Sequence, residues 1–526
     1  MSKNLAQKAF SGSIHQYAAS LVMFVFNVLT SIYIIRELAV EDFGIYNFIV
    51  SLITMAQFVT SLGLAPTIQR YLPEYREKGN NYFQKRILSV SMLIRLLAGI
   101  FFVSVLLIAN NWIKNTFNLP VSFLKFFPLI ALIILLTLES QLLGDAALVT
   151  LFENRYWNFS RTAYTCLKFI LFYLSLSMGY GILGIIWCWL IVEIVLFLLF
   201  LIKAYKVIFS LPIKKADIQP LPIRRFINFG GYLILQQSAW FFRDKATDIF
   251  LISYFLGTYD VGLYSFALGI PLTLMSFSPG SRLRAIFTPL LVRSYTKTND
   301  KQQLSYFFEL VNKIIFFSMV PIFVILMILA DKVIIYVFNP EYLKVTSLFV
   351  LSLGFVMVKQ FAYAYTPIIY TLEKTKIVFV GSLFAFYNLI MDIILIPPLG
   401  IIGAAIGALI IAFVVQLATY ITMKFKLTYR MAYKVAFLWY APSGIIILGI
   451  KSIIGTLANQ MFGVVLLLAT VISVFLFFPA YLYGILIKHP EKGAVGFRKG
   501  LLISTIQLLI LGIIIVLIAG IVAIMT

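Results

Sequence analysis

The sequence predicts an all-α, polytopic membrane protein built from two six-helix lobes, and three observations predict it. Only 12% of the 526 residues are charged while 62% are hydrophobic, a balance that soluble domains do not carry. Apolar runs of around twenty residues recur from end to end, the length an α-helix needs to cross a bilayer. A sequence repeat, set out below, divides the first four-fifths of the chain into two similar halves. Strands are excluded as the spanning element because the runs are too long and too evenly apolar for a barrel, and an open sheet leaves its backbone unsatisfied in lipid.

In chain order the candidate spans are 14–35, 45–65, 87–109, 122–144, 160–178 and 181–202 for the first lobe. Those of the second are 228–256, 262–280, 312–330, 345–371, 377–397 and 400–423, and a C-terminal group follows at 434–454, 461–487 and 500–525. Lys3 and Lys8 ahead of an apolar run imitate a secretion signal, but the run exceeds twenty residues and lacks a small-residue cleavage site, so it reads as an uncleaved first span. Pro397 and Pro398 close span 11, and Pro271, Pro321 and Pro367 sit inside spans as hinges or as kinks tolerated by their neighbours. The expected organisation is a lobe at 1–205, a polar linker at 206–226 with Pro212, Pro220 and Pro222 in and beside it, a second lobe at 227–426, and additional spans at 427–526.

The formal net charge of +22 does not point to nucleic acid, because most Lys and Arg fall in the N-terminus and in every second connection. Lys203, Lys206, Lys214, Lys215, Arg224 and Arg225 crowd one such connection, and Arg282, Arg284, Arg293, Lys297, Lys301 and Lys313 the next. The positive-inside rule then places the N-terminus in the cytoplasm and the chain in the cell membrane as a multi-pass protein. Cys166 and Cys188 lie in different spans without metal-ligand spacing, so neither a disulfide framework nor a metal site is implied. There is no GxxxxGK[ST] phosphate loop, which argues against ATP hydrolysis by this chain. The two histidines, His15 and His489, stand near opposite ends. Outer connections are mostly short, with only 331–344 offering much room for loop chemistry, so the sequence argues against an enzyme.

The repeat is the organising feature. EDFGIYNF at 41–48 returns as YDVGLYSF at 259–266, with Asp42, Gly44, Tyr46 and Phe48 matching Asp260, Gly262, Tyr264 and Phe266 (260 − 42 = 218). GILGIIWCWLI from 181 returns as GIIGAAIGALI from 400, pairing Gly181 with Gly400 and Gly184 with Gly403 (400 − 181 = 219). Each unit contains an even number of spans, so both copies enter the membrane from the same side, as in transporters made of parallel repeats.

Charges at bilayer depth are the candidate functional residues, because they are costly there unless a cavity, pathway or partner receives them. Arg243, Asp244, Lys245 and Asp248 cluster in span 7; Lys168 lies in span 5, Glu193 in span 6, Lys359 in span 10 and Arg95 in span 3. Facing one cavity, Arg243, Lys168, Lys359 and Lys245 would form a cationic floor for an anionic headgroup, with Arg95, nearer the cytoplasm, a further substrate-binding candidate. The competing reading is self-neutralisation, with Lys245 paired to Asp248 one helical turn on. Asp244, Asp248 and Glu193 are the candidate proton or sodium sites, with a hydrogen-bonded core carboxyl the alternative for Glu193. Tyr363 and Tyr365, beside Phe361 and Tyr370, are candidates for stacking on sugars, against the ordinary role of Tyr as an interface anchor.

The six-plus-six repeat, the first span followed by RELAVEDFGIYNF, and the seventh reading TDIFLISYFLGTYDVGLYSFALGI resemble the polysaccharide flippases (O-antigen flippase-like) of the multidrug/oligosaccharidyl-lipid/polysaccharide exporter superfamily, over about residues 10–430. The resemblance implies a MATE-like fold with two or three extra C-terminal helices. It also implies a non-enzymatic activity, transfer of polyprenyl-pyrophosphate-linked oligosaccharide from the inner to the outer leaflet by alternating access, coupled to H+ or Na+ with no other cofactor. The implied partners are the lipid-linked oligosaccharide, membrane lipids and a glycan polymerase or other assembly proteins. Two relatives in the same superfamily offer alternatives. A multidrug or organic-cation antiporter favours a carboxylate-rich cavity, whereas span 10 carries Lys359 here. For a peptidoglycan lipid precursor flippase the resemblance leads us to expect an Arg midway along span 1, where Val25 and Asn27 stand.

Overall fold

The computed structural model describes residues 3–213, 245–276, 329–360, 362–372 and 375–410, with isolated positions between them. Arg243, Asp244 and the expected spans beyond residue 410 lie outside the described residues. Within them the chain is helical, with no strand. Contacts divide it into two compact units: residues 1–265 with 388–401, and residues 266–387 with 402–526.

The first unit begins with α1 (Lys3–Glu37) and α2 (Val40–Val59). It continues through α3 (Leu64–Glu77), α4 (Asn81–Ile108) and α5 (Asn110–Thr116). A 3-10 turn (Val121–Phe126) then leads into α6 (Phe127–Ser140), which runs on as a π-helical segment (Gln141–Leu148). α7 (Asn154–Ser177) and α8 (Gly181–Ala204) complete the lobe. Segments Ala19–Glu37, Val40–Val59, Asn81–Ile108, Val121–Leu148 and Gly181–Phe209 are long and apolar enough to cross a membrane. α7 packs on α1 and α8, and α6 on α4 and α8. Exposed Leu97, Phe101, Ile108, Ile191 and Leu198 face outward, as side chains do where lipid replaces water.

The amphipathic helix α3 was not among the expected spans. Ile68, Tyr71, Leu72 and Tyr75 recur at helical spacing and are buried against α4, the π segment and α8, around Leu88, Leu143 and Phe200. Asn80 caps α4, its side chain accepting from the Phe83 amide at 2.9 Å.

Beyond the linker come α9 (Lys245–Phe255) and α10 (Thr258–Ser276), then α11 (Ala330–Val337), a 3-10 turn (Pro340–Val345), α12 (Thr346–Gln360), α13 (Ala362–Thr371) and α14 (Thr375–Leu399). A short helix followed by a 3-10 turn occurs in both halves, the turns 340 − 121 = 219 positions apart. In each half that turn receives the repeated phenylalanine. Phe48 is fully buried against Phe117, Phe123 and Phe250, and Phe266 against Phe338, Tyr342 and Phe349. Gly181 (φ +55°) and Gly400 (φ +62°), paired in the sequence, share the left-handed backbone that glycine adopts without strain.

Gly44 and Gly262 show the repeat in contact with itself. A Cβ on Gly44 would overlap the carbonyl of Thr258, and a Cβ on Gly262 would overlap the carbonyl of Val40. Val40 and Thr258 are themselves repeat mates (258 − 40 = 218), so the two contacts are reciprocal. Thr258 Oγ1 also donates to Glu41 Oε1 at 3.2 Å, closing α2 onto α10.

Candidate functional site

The first unit is polar inside, and the polar groups gather at a cavity of about 220 Å³ between α2, α6, α7 and α8. Its walls carry Thr54 and Gln57 from α2, Thr137, Ser140 and Gln141 from α6 and its π extension, Arg161 and Tyr164 from α7, and Trp189 and Glu193 from α8. The π segment is what aims Gln141 and the adjoining Asp145: an extra residue per turn rotates the backbone where α6 would otherwise continue regularly, a device common at functional sites.

Arg161 Nη2 meets both oxygens of Asp145, at 2.9 and 2.7 Å, and Trp157 Nε1 donates to the same carboxylate at 2.7 Å. Glu193 is 4% exposed and accepts from Tyr164 Oη at 2.7 Å and Trp189 Nε1 at 3.2 Å. It is therefore a hydrogen-bonded buried carboxylate that also lines the cavity. Lys168 places its ammonium 4.6 Å from the Trp189 ring centroid and 5.2 Å from that of Phe172, a cation–π seat in place of a carboxylate partner. Arg95 is buried, donates to Gln141 Oε1 at 2.9 Å, and has Glu139 as an electrostatic neighbour. Ser140 Oγ, Thr137 Oγ1 and Arg161 Nε are buried with no hydrogen-bond partner among the described residues.

A second cluster joins α9, α10 and the last part of α14. Asp248 Oδ2 accepts from Tyr264 Oη at 2.5 Å, and its Oδ1 from Asn388 Nδ2 at 3.3 Å. The same amide nitrogen donates to Asp392 Oδ2 at 3.0 Å. Asp392 is fully buried, and its Oδ1 has no hydrogen-bond partner among the described residues. Two buried carboxylates therefore share one amide at a helix interface.

The expected site residues that the structure describes have the following neighbours. Lys245 reaches Asn47 Oδ1 at 3.3 Å and the Ser265 carbonyl at 3.4 Å. Lys359 lies over the ring of Phe355 at 5.4 Å, and Tyr363 is half-buried on α13. Arg243, Asp244 and the side chain of Tyr365 fall outside the described residues. Sequence reasoning missed Asp392 and Asn388, although YNLIMDIIL places an Asn and an Asp one turn apart inside an apolar run, the signal that singled out Glu193. It also missed Glu139, Gln141 and Asp145 in LESQLLGD, and Arg161 at the start of span 5.

The family described as "Polysaccharide biosynthesis protein" matches residues 5–278. No curated protein matches the chain by sequence. Among solved structures, a lipid II flippase, MurJ, in an inward closed conformation is similar with a TM-score of 0.65 at 17% identity, covering 91% of this chain and 100% of that one. An inward-facing multidrug resistance MATE transporter of the MOP superfamily gives 0.60 at 14% identity, covering 76% and 94%. A MATE protein in complex with MaL6 gives 0.54 at 15%, covering 79% and 95%. At these identities the likeness is one of fold: an all-α, multi-pass membrane protein with the MATE-like architecture that the resemblance implies.

Proposed function

The chain belongs to the polysaccharide biosynthesis protein family, and from that premise we propose that it is a flippase carrying polyprenyl-diphosphate-linked oligosaccharide across the cell membrane by alternating access. The observation that carries this reading is the family match, which spans the first lobe and the first two spans of the second. The charged, hydrogen-bonded interior of the first unit agrees with it, because lipid-facing helices have no use for such groups.

Coupling is assigned to the Asp248–Asn388–Asp392 cluster. The two carboxylates offer a site for a transported proton, and with the Asn388 carbonyl, after the amide turns over, they supply the oxygen ligands a sodium ion takes. Tyr264 fixes the Asp248 oxygen that faces α10. Loading and unloading this site changes the net charge between α9, α10 and α14, which is how a gradient can bias one conformation.

The reciprocal Gly44–Thr258 and Gly262–Val40 contacts close α2 against α10 at the ends opposite the N-terminus. With the N-terminus cytoplasmic, as the basic connections predict, that seam is the outer gate in its shut position. The diphosphate is assigned to Arg243, the forked cation of span 7. An organic-cation exporter fits less well, since Glu193, the carboxylate on the wall of the described cavity, is already met by two donors.

The test is transport by purified protein in sealed vesicles loaded with a fluorescent lipid-linked oligosaccharide, followed by quencher or glycosidase access. Protein-dependent equilibration across the bilayer supports the reading. No acceleration over protein-free vesicles, with an organic cation moving instead, would overturn it.

A further inference from the structure

We propose that the cavity between α2, α6, α7 and α8 is a subsite for one neutral sugar residue of the transported oligosaccharide, an inference that rests on the flippase reading and assigns part of its substrate contact. Size is the first reason. A volume of about 220 Å³ holds roughly seven waters at about 30 Å³ each, which is the scale of a single sugar ring and not of a drug-sized ligand.

Charge is the second. Arg161 spends one nitrogen on both oxygens of Asp145, and Glu193 is held by Tyr164 and Trp189. Arg161 is balanced by Asp145 and Glu193 adds a negative charge, so the lining carries no excess of positive charge for a diphosphate, while its hydroxyl, amide and phenol groups suit the hydroxyls of a neutral sugar.

Unsatisfied polar groups are the third. Ser140 is 1% exposed, lines the cavity, and its hydroxyl has no partner among the described residues; Thr137 Oγ1 on the same wall is equally without one. A buried hydroxyl without a partner costs about 1–3 kcal/mol, so something polar is expected to meet it. Sugar hydroxyls donate and accept at once, as these serine and threonine hydroxyls do. Gln57 offers an amide on the facing wall, and Tyr164 and Trp189 present aromatic surface to the C–H groups of a ring.

Position is the fourth. The cavity uses the distal part of α2, the junction of α6 with its π extension and the first turns of α7. With the N-terminus cytoplasmic, these are the cytoplasmic halves of their helices, where a glycan assembled inside the cell is first met.

The experiment uses the full chain in nanodiscs and a panel of neutral methyl glycosides (hexose, deoxyhexose and N-acetylhexosamine), with binding read by saturation-transfer NMR. Polyprenyl diphosphate lacking sugar is the comparison probe. At least one glycoside is expected to bind saturably in the millimolar range. Gln57→Leu and Ser140→Ala should each weaken it about two- to tenfold, the worth of one hydrogen bond, and leave polyprenyl diphosphate binding unchanged. Gln57 is only half-buried, so its variant carries the test should Ser140→Ala fail to fold. No glycoside binding, or binding indifferent to both variants, overturns the subsite even if vesicle transport succeeds. Glycoside binding that both variants weaken supports the subsite even if transport of the lipid-linked form fails, in which case the flippase reading alone is lost.

Discussion

Gly44→Ala should open the seam between α2 and α10. The added methyl would overlap the Thr258 carbonyl carbon and oxygen and approach the Gly262 amide at 3.0 Å. All three are backbone, so relief requires the helices to separate. Overpacking of this kind costs about 1–3 kcal/mol, and the cost falls only on the conformation in which the two helix starts touch. The equilibrium between closed and open seams therefore shifts about 5- to 150-fold toward open. A background with Cys166 and Cys188 replaced by Ser, carrying Thr258→Cys at the seam, where Thr258 is 4% exposed, reports the opening. The readout is its rate of reaction with a membrane-impermeant maleimide added outside. Gly262→Ala should repeat the effect, because its methyl meets the Val40 carbonyl. Gly99→Ala is the control: its methyl would meet only the Leu135 and Leu138 side chains at 3.0 Å, which can yield. Unchanged labelling in folded Gly44→Ala protein, or an equal rise in the Gly99 control, would refute the gate.

Other consequences are equally direct. Asp392→Asn should keep the hydrogen bond at Asn388 yet remove one of the two charges, so transport loses its dependence on the sodium or proton gradient; gradient-dependent transport persisting at wild-type ratio would contradict the coupling assignment. Arg243→Ala should abolish flipping and Arg243→Lys retain a fraction of it, measured in vesicles at matched protein, since a lysine keeps the charge but loses the fork. Phe266→Ala should cost about 3–5 kcal/mol, because the ring is fully buried among Phe338, Tyr342 and Phe349; thermal unfolding in detergent measures it, and a change below about 1 kcal/mol would show that the cluster is not a core.

Hydropathy and the repeat made the architecture legible, because lipid allows few spanning solutions and each lobe repeats the other's turns. The 218-position offset even marked Gly44 and Gly262, although only the backbone showed that they touch reciprocal partners. α3 was missed because its stripe of Ile68, Tyr71, Leu72 and Tyr75 is interrupted by charges and is too short and polar to read as a span. Of the charges the sequence singled out, Glu193, Arg95 and Asp248 are buried and Lys168 is half-buried, but which charges meet is set by helix packing. Lys168 met rings instead of an acid, and the partners of Arg95 and Arg161 came from Gln141 and Asp145, whose orientation depends on a π segment that no sequence period announces.

The most direct test of the central claim is the leaflet in which lipid-linked oligosaccharide resides when cells are depleted of this protein, read by the access of an added lectin or glycosidase in intact spheroplasts. Accumulation on the inner leaflet, reversed by restoring the wild-type chain and not by Arg243→Ala, is the predicted result. An unchanged distribution between leaflets, with organic cations accumulating inside the depleted cells, would contradict it.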